Sequence, residues 1–278
     1  MGFYLLSVAL LHVPAVQRGV TFLISEALKD ILHTELSIGR VDLGYFNRII
    51  LDDVRIKDQK KKDLLKAARL SAKIELTSLL HGKISISNVQ LYGFDIHLYQ
   101  GREREKPNFQ FLIDTFAKKD SLPSNPNLRI NSVLVRRGKL SWHRYDKSST
   151  PGRFNPDHIV LDKISATLSL KSYTADSLNL NVKKFSFEEH SGLQLKQLSF
   201  KITANREKAQ LDHFTIELPH SRLALHPVTM SYRHIKEGNG KGRYQDFTFQ
   251  GSIEQGTFSF ADFIPFYPKS VQNHVLEE

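Results

Sequence analysis

One short pattern recurs along most of this 278-residue chain: an apolar residue, two mostly polar residues, an apolar residue, any residue, and a further apolar residue. Its copies begin at Leu51, Ile86, Ile130, Leu161, Val182, Leu195, Leu211 and Tyr244. Because the side chains of a β-strand alternate between two faces, a three-residue step between apolar positions reverses that alternation. The pattern therefore predicts strands that carry a bulge, bend or corner at the polar pair.

The region from Glu35 onward otherwise consists of short period-two runs with turn residues between them, and it shows little helical periodicity. The 18 Phe and 9 Tyr residues suit half-buried pleated surfaces. The copies of the pattern are irregularly spaced, which argues against a solenoid of fixed period. We therefore expect a mainly β fold over residues 34–278, an elongated, curled antiparallel sheet of repeated hairpins.

Two copies are followed by a glycine and a second apolar pair, so each predicts a hairpin that turns near Gly93 or Gly138. Further predictions are a short helix from Phe109 to Ala117, loops at 118–127 and 145–157, and a hairpin loop at 238–242 joining strands at 230–235 and 243–253. No helix follows the glycine-rich segment 238–242, which argues against a phosphate cradle there.

The N-terminal segment is the most apolar part of the chain. Residues 3–13 are apolar apart from Ser7 and His12, and Pro14 ends the run. This is about half of the roughly 20 residues that cross a membrane, and neither a basic segment before it nor a cleavage site after it marks a signal peptide. We expect residues 1–14 to be a truncated membrane anchor; a buried N-terminal helix is the alternative.

Residues 15–33 have apolar side chains at every third or fourth position, which predicts an amphipathic helix. The charges on its polar positions balance, so the helix lacks the basic face of a segment that lies on anionic lipid. We expect it to pack against the end of the β-structure.

The formal net charge of +10 is spread diffusely along the chain. The one run of three lysines, Lys60 to Lys62, is flanked by Asp58 and Asp63 at a predicted turn, so a solvated loop is favoured over a phosphate-binding patch. We therefore expect no nucleic-acid partner.

Residue patterns typical of catalysis and metal binding are missing from the sequence. There is no Cys, no Gly-x-x-x-x-Gly-Lys, no His-Glu-x-x-His and no Gly-x-Ser-x-Gly. His97 and His143 fall on outward strand positions, and Glu188, Glu189 and His190 are interpreted as a turn. The sequence predicts a non-enzyme without catalytic, cofactor or metal sites; a hydrolase acting on cell-envelope material is the least favoured hypothesis.

Several segments resemble the start of the TamB proteins of Bacteroidetes, the inner-membrane subunits of the translocation and assembly module, within the AsmA-like superfamily. The segments are 13–17 (VPAVQ), 37–42 (SIGRVD), 46–54 (FNRIILDDV), 79–89 and 108–116 (NFQFLIDTF). Residues 259–268 (SFADFIPFYP) are similar to the segment that precedes the next β-repeat in this family. Because family members are several times longer, the resemblance implies an N-terminal portion that is incomplete at both ends.

The resemblance implies a single-pass inner-membrane protein with its bulk in the periplasm. It also implies a taco-like β-groove whose apolar interior takes up phospholipid acyl chains or nascent outer-membrane strands, and a BamA/TamA-type outer-membrane barrel as partner of the full-length protein only. The inferred function is movement of phospholipid between the two membranes, aid to outer-membrane protein assembly, or both. The alternative is a structural or adaptor envelope protein that binds other proteins through a closed β-domain.

Strand alternation then nominates the residues that would line the groove. They are Ile84, Ile86, Val89, Leu91, Ile96, Leu98, Val133, Val135, Leu140, Trp142, Leu178, Leu180, Phe185, Phe187, Phe214, Ile216, Phe247 and Phe249. The same residues would fill an ordinary closed β-core, and alternation by itself favours neither arrangement. A groove would retain acyl chains by burying apolar surface, at about 25 cal/mol per Å².

Overall fold

The protein is described by a computed structural model that covers residues 33–44, 48–74, 86–117, 130–174, 177–236 and 242–268. The predicted anchor, the predicted amphipathic helix apart from His33, and the predicted loop at 118–127 lie outside these ranges. Within the described ranges, no helix has the length and apolar character needed to cross a membrane.

The described residues are mostly in strands, with two short helices. The strands are β1 Leu36–Ser37, β2 Arg40–Gly44, β3 Arg48–Lys57, β4 Asp63–Ile74, β5 Ile86–Gln100, β6 Ile130–Arg144, β7 His158–Thr174, β8 Ser177–Glu189, β9 Gln194–Ala204, β10 Lys208–Glu217, β11 Arg222–Leu225, β12 Val228–Lys236, β13 Gly242–Gln250 and β14 Ile253–Thr257. Helix α1 is Gln110–Ala117, and a 3-10 helix spans Phe260–Phe266. The prediction of a mainly β fold is confirmed, and α1 is the short helix predicted from Phe109 to Ala117.

The strands form one 14-stranded sheet in the order β1-β3-β4-β5-β6-β7-β8-β9-β10-β11-β14, which does not close into a barrel. Strand β2 pairs with β3, β12 with β10, and β13 with β12. Every pair whose register is described is antiparallel. The chain divides into two compact units. Of the described residues, unit 1 contains those up to 117 together with 133–150 and 155–164, and unit 2 contains 130–132, 151–154 and 165–268.

Several short strands pair, two at a time, with different halves of one longer strand. In unit 1, β1 and β2 both pair with β3. In unit 2, β11 and β12 both pair with β10, and their partners β14 and β13 follow the same division. The strand predicted at 243–253 is therefore interrupted at Gly251 and Ser252, between β13 and β14. The hairpin predicted around 238–242 is confirmed by the β12–β13 pairing, although its loop is not described.

The polar pair of the sequence pattern marks a break near the middle of many strands, which we call the crease. In β3 the crease is Asp52-Asp53, in β7 Asp162-Lys163 and in β10 Asp212-His213, and the second residue of each pair has a left-handed φ of 53°. Two consecutive outward residues restore the alternation, so the apolar residues on either side, such as Leu51 and Val54, share one face. The breaks predicted at these three-residue steps are confirmed. In β10 the break is a shift in register, whereas β3 keeps one register with β4 across Asp53.

Pairing registers show the same interruption in other copies. The register shifts between Val182 and Phe185 in β8, and between Asp212 and Thr215 in β10. Between β12 and β13 the register also shifts, because Ser231 pairs with Thr248 and Arg233 pairs with Gln245. An extra residue on one strand of each pair is the definition of a β-bulge.

The hairpins predicted near Gly93 and Gly138 are wrong, because β5 and β6 run without a turn through both glycines. Gly93 adopts a left-handed φ of 58°, and a Cβ there would lie 3.1 Å from the Ala68 Cβ. Gly138 lies beneath the Phe94 ring, so that a Cβ would be only 2.0 Å from the Phe94 Cζ atom. Each glycine therefore serves the crease or a close packing contact within a continuous strand.

Candidate functional site

Apolar side chains of unit 1 form rows that cross from strand to strand. One row consists of Val41, Leu51, Leu70 and Leu91, on β2, β3, β4 and β5. Beyond the crease, a second row consists of Leu36, Ile56, Leu65 and Ile96. Because paired residues of antiparallel strands project to the same face, these rows give one face of the sheet a continuous apolar surface.

Unit 2 repeats this arrangement on other strands. One row consists of Leu178, Ala204, Ala209, Met230 and Phe249, on β8, β9, β10, β12 and β13. Another consists of Phe185, Leu198, Ile216 and Leu223, on β8, β9, β10 and β11. Phe185 and Phe187 also touch along β8, with ring centroids 5.6 Å apart. The apolar face is therefore present in each unit.

The opposite face of the sheet is polar in both units. In unit 1, Asp52 lies between Arg40 and Arg69, with carboxylate–guanidinium distances of 2.9 and 2.7 Å. The hydrogen bond from Arg69 is the main cause that holds the pKa of Asp52 below its ordinary value, against the opposing effect of burial. In unit 2, one row of this face is uncharged and consists of Asn179, Thr203, Gln210, Thr229 and Gln250, and the neighbouring row of Asn181, Lys201 and Asp212 is charged. Each unit thus has one polar face and one apolar face.

The structure gives the exposure of most nominated groove residues. Ile84 lies outside the described residues, and of Ile86 only the backbone is described, opposite Ile74. Fourteen side chains are partly exposed: Val89, Leu91, Ile96, Leu98, Val133, Val135, Leu140, Trp142, Leu178, Leu180, Phe185, Phe187, Phe214 and Ile216. Phe247 and Phe249 are exposed, by 64% and 72%. None of these described side chains is buried as a closed core would require.

Cross-strand pairing places some nominated residues in one row, such as Phe185 with Ile216, and adds members that alternation did not nominate. Leu91 pairs with Leu70, Ile96 with Leu65, and Phe185 with Leu198. The register of β6 is not described, but Trp142 contacts Phe109, just before α1, with a centroid distance of 6.1 Å. The additional members escaped notice because register is non-local information that a single strand does not carry.

The predicted lysine turn is held by a buried carboxylate rather than by solvent alone. Asp58 Oδ1 accepts hydrogen bonds from the backbone N–H groups of Lys60 and Lys62, at 2.8 and 2.9 Å. The Tyr99 hydroxyl donates to Asp58 Oδ2 at 2.6 Å, and burial together with this bond raises the Tyr99 pKa. The three lysines themselves are exposed, as the solvated-loop prediction requires. Asp58 is therefore engaged in fixing the turn against β5.

Two histidines of unit 1 form a pair with a defined proton arrangement. His143 Nδ1 lies 3.2 Å from His158 Nδ1, and His158 Nε2 lies 2.8 Å from the Lys147 carbonyl oxygen. Since a carbonyl only accepts, neutral His158 carries its proton on Nε2, and His143 must donate from Nδ1. Burial and the neighbouring His158 and His97 lower the His143 pKa. Among the described residues, no cluster of His, Asp or Glu could hold a metal ion.

A cluster of aromatic side chains near the end of unit 2 was missed by the sequence interpretation. Phe258 contacts Phe260 and Phe263, with centroid distances of 5.1 and 4.7 Å, and Phe266 contacts Phe154 at 4.9 Å. Phe258, Phe260 and Phe266 are exposed by 62%, 64% and 40%. Apolar residues in sequence suggest a core, and only the structure reveals this exposure.

The aromatic cluster is held by a buried carboxylate. Asp262, whose side chain is 1% exposed, accepts hydrogen bonds from the His220 backbone N–H at 3.0 and 3.1 Å, and its Oδ1 lies 3.0 Å from the His220 ring. Burial would raise the pKa of Asp262, but hydrogen bonds from Ser221 and His220 outweigh that effect and lower it. Ser259 caps the 3-10 helix by accepting from the Ala261 N–H.

The chain matches no protein-family model, and it has no significant match among curated proteins. The physical features of the site therefore carry the functional argument. Each unit has one apolar face and one polar face, and unit 2 also has the exposed aromatic cluster. Such a surface binds apolar matter without directional bonds.

Proposed function

We propose that this chain is the N-terminal part of an inner-membrane-anchored periplasmic bridge protein. It moves phospholipid between the inner and outer membranes, aids outer-membrane protein assembly, or does both, through an apolar β-groove, and it performs no covalent chemistry. The observation that carries the proposal is the partial exposure of the nominated groove residues on the strands of an open sheet.

Acyl chains suit this face because their binding depends on buried area rather than on directional contacts. Each buried methylene contributes about 0.8 kcal/mol. In each unit, the rows present an apolar residue on successive strands, which lie about 4.8 Å apart. An acyl chain can therefore move from the side chains of one strand to those of the next without contacting polar side chains, as transfer between membranes requires.

The polar face supports the same function, because the outer side of a periplasmic groove must stay solvated. The row Arg40, Asp52 and Arg69 in unit 1 provides charge there, and amide and hydroxyl side chains provide hydrogen bonding in unit 2. A sheet with these two faces keeps its lipid and its solvent on opposite sides.

Site-specific photocrosslinking tests the proposal. A photoreactive amino acid at Phe187, on the apolar face of β8, should crosslink to phospholipid in cells. The same group at the neighbouring Ser186, on the opposite face, should crosslink at least about tenfold less, because adjacent strand residues face opposite ways. Mass spectrometry of the detergent-free protein should find phospholipid. Absence of lipid, or equal crosslinking at the two positions, would contradict the proposal.

The adaptor function is the second candidate, and the exposed Phe247 and Phe249 favour it, because large exposed aromatic side chains are common in protein interfaces. Phe185→Asp and Phe247→Asp separate the two functions. Loss of copurifying phospholipid in Phe185→Asp favours the groove. Retention of lipid together with loss of a pull-down partner in Phe247→Asp favours the adaptor.

A further inference from the structure

Most of the large hydrophobic side chains that are exposed among the described residues fall in one stretch of the sequence. Of the eight large hydrophobic residues that are exposed among the described residues, six fall between Phe247 and Phe266. Three of them, Phe258, Phe260 and Phe266, belong to the aromatic cluster. We call these three residues and Phe263 the phenylalanine platform. A rigid cluster of this kind indicates an interaction surface rather than scattered apolar residues.

Buried hydrogen bonds hold the platform in its exposed position. Asp262 is the one charged residue between Ser259 and Tyr267, and it is buried against His220. Ser221 accepts a hydrogen bond from the Ser259 N–H at 2.9 Å. The polar groups near the platform thus have partners inside the protein, so placing its outer surface in an apolar medium leaves few hydrogen bonds unmade.

Cationic side chains surround the platform. Arg153 donates to the Phe266 carbonyl oxygen at 3.4 Å, and Lys196 donates to the Pro219 carbonyl oxygen at 3.2 Å, beside His220. Both side chains are exposed. Arg222 lies opposite Thr257 in the β11–β14 register, next to Phe258.

Of the carboxylates in this region, Asp262 is buried and bound to His220, and Glu217 neutralises Arg222 at 3.7 Å. The positive charge beside the platform therefore comes from Arg153 and Lys196. Exposed phenylalanine flanked by arginine and lysine, with its acidic group turned inward, is complementary to the interface of an anionic bilayer.

We propose that the phenylalanine platform is a membrane-docking site that inserts Phe258, Phe260 and Phe266 into the interface of a bilayer containing anionic phospholipid, with Arg153 and Lys196 at the headgroups. This site is separate from the groove of the proposed function. It would bring the C-terminal end of unit 2 to a membrane surface whether or not the apolar rows carry lipid.

Single-tryptophan fluorescence tests the platform in the full chain. The only tryptophan is removed by Trp142→Phe, and Phe260→Trp introduces a new one, the platform tryptophan. With vesicles of phosphatidylcholine and phosphatidylglycerol, its emission should shift to the blue and be quenched by phospholipid brominated in the acyl chains. With pure phosphatidylcholine vesicles, the binding should weaken at least about tenfold, because the headgroup attraction is lost.

The matched control is Ile113→Trp in the same background, which introduces the control tryptophan. Ile113 is 50% exposed and lies on α1, outside both the platform and the apolar rows. The control tryptophan should show no quenching, even if the apolar residues 3–13 carry the chain to the vesicle. A second variant, Arg153→Glu with Lys196→Glu, should weaken the response of the platform tryptophan at least about tenfold while leaving the circular dichroism unchanged.

Three outcomes would overturn this proposal. The platform tryptophan could stay unquenched while the chain sediments with vesicles, or the control tryptophan could be quenched to the same extent. A blue shift of the platform tryptophan without vesicles that grows with protein concentration would identify a second copy of the chain as the occupant. Crosslinking of phospholipid at Phe187 does not depend on any of these results, so the groove and the platform can fail separately.

Discussion

The first five strands and the last seven are built on the same sequence pattern, yet they treat their apolar side chains differently. In β1–β5, the apolar residues Val41, Leu51, Val54, Ala67 and Phe94 are all 8% exposed or less. In β8–β14, buried apolar residues are few, namely Val182, Leu195 and Ala224, whereas Phe247, Phe249 and Ile253 are at least 64% exposed. One strand pattern therefore supports both a packed region and an open one.

Close packing around the Phe94 ring explains the burial in unit 1. The Phe94 ring occupies the space that a side chain at position 138 would need, and Val54 and Ala67 pair beside it. In unit 2, a Cβ at Gly256 would meet only Ile253 and Leu223, at 3.8 and 3.9 Å, which is ordinary contact. The difference suggests a division of labour in which unit 1 stabilises the sheet and unit 2 offers the accessible apolar surface.

The largest expected effect comes from truncating matched phenylalanines in the two regions. Phe94→Ala should lower the free energy of unfolding of unit 1 by about 3–5 kcal/mol, because it leaves a cavity at a packed site. Phe249→Ala should change stability by less than about 0.5 kcal/mol, because the side chain is exposed. Urea denaturation followed by circular dichroism checks both, and Trp142 fluorescence reports unit 1. Equal losses would remove the distinction between the regions.

Adding a methyl group provides the converse test. Gly138→Ala should destabilise unit 1 by about 1–3 kcal/mol, since the new Cβ would overlap the Phe94 ring. Gly256→Ala should be neutral in the same urea measurement. In a Phe94→Ala background, the cost of Gly138→Ala should fall below about 0.5 kcal/mol. If that cost persists in the double variant, the contact with Phe94 is not its cause.

These two glycines also show where inference from sequence reached its limit. Alternation and the three-residue step predicted the β class and the breaks within the strands, because those properties are local. A glycine between apolar pairs indicates a turn by the same local logic. The opposition of Gly93 to Ala68 and the packing of Phe94 on Gly138 depend on register between strands, which the sequence of one strand does not contain.

The platform illustrates the same limit in another way. The segment from Ser259 to Pro268 is apolar enough to suggest a core, and its resemblance to a family segment carried no information on exposure. Its orientation follows from hydrogen bonds that join Asp262 to His220 and Ser259 to Ser221, more than thirty residues away. Partners so distant in sequence have no local signature.

The crease should respond alike in both regions, because both contain left-handed residues. Asp53→Val in β3 and His213→Val in β10 should each cost about 1–2 kcal/mol, since a β-branched residue is strained at a φ of 53°. The corresponding glycine variants should be neutral or slightly stabilising. Arg55→Val, an exposed position in β3 without a positive φ, is the control, and hydrogen exchange of the flanking amides localises the effect. A cost confined to one region would mean that the crease is not a shared element.

The smallest expected effect concerns the polar faces, and it compares the charged row at Asp52 in unit 1 with the uncharged row at Thr203 in unit 2. The pKa of Asp52 is lower in the folded protein than in the unfolded chain, so the unfolded chain takes up a proton more readily on acidification. The stabilisation by Arg69 and Arg40 is therefore present above about pH 4 and is lost as the pH falls through the lowered pKa.

Asp52→Asn should cost at most about 1 kcal/mol at neutral pH, because Arg40 and Arg69 are half exposed and salt screens the pair. The variant should also lose less stability than the parent between about pH 5 and pH 2. Thr203→Ala, in the uncharged row of unit 2, should leave this pH dependence unchanged. Urea titrations at several pH values, followed by Trp142 fluorescence, make the comparison. If Asp52→Asn kept the full acid sensitivity, other carboxylates would govern it, and the polar faces would be equivalent in stability.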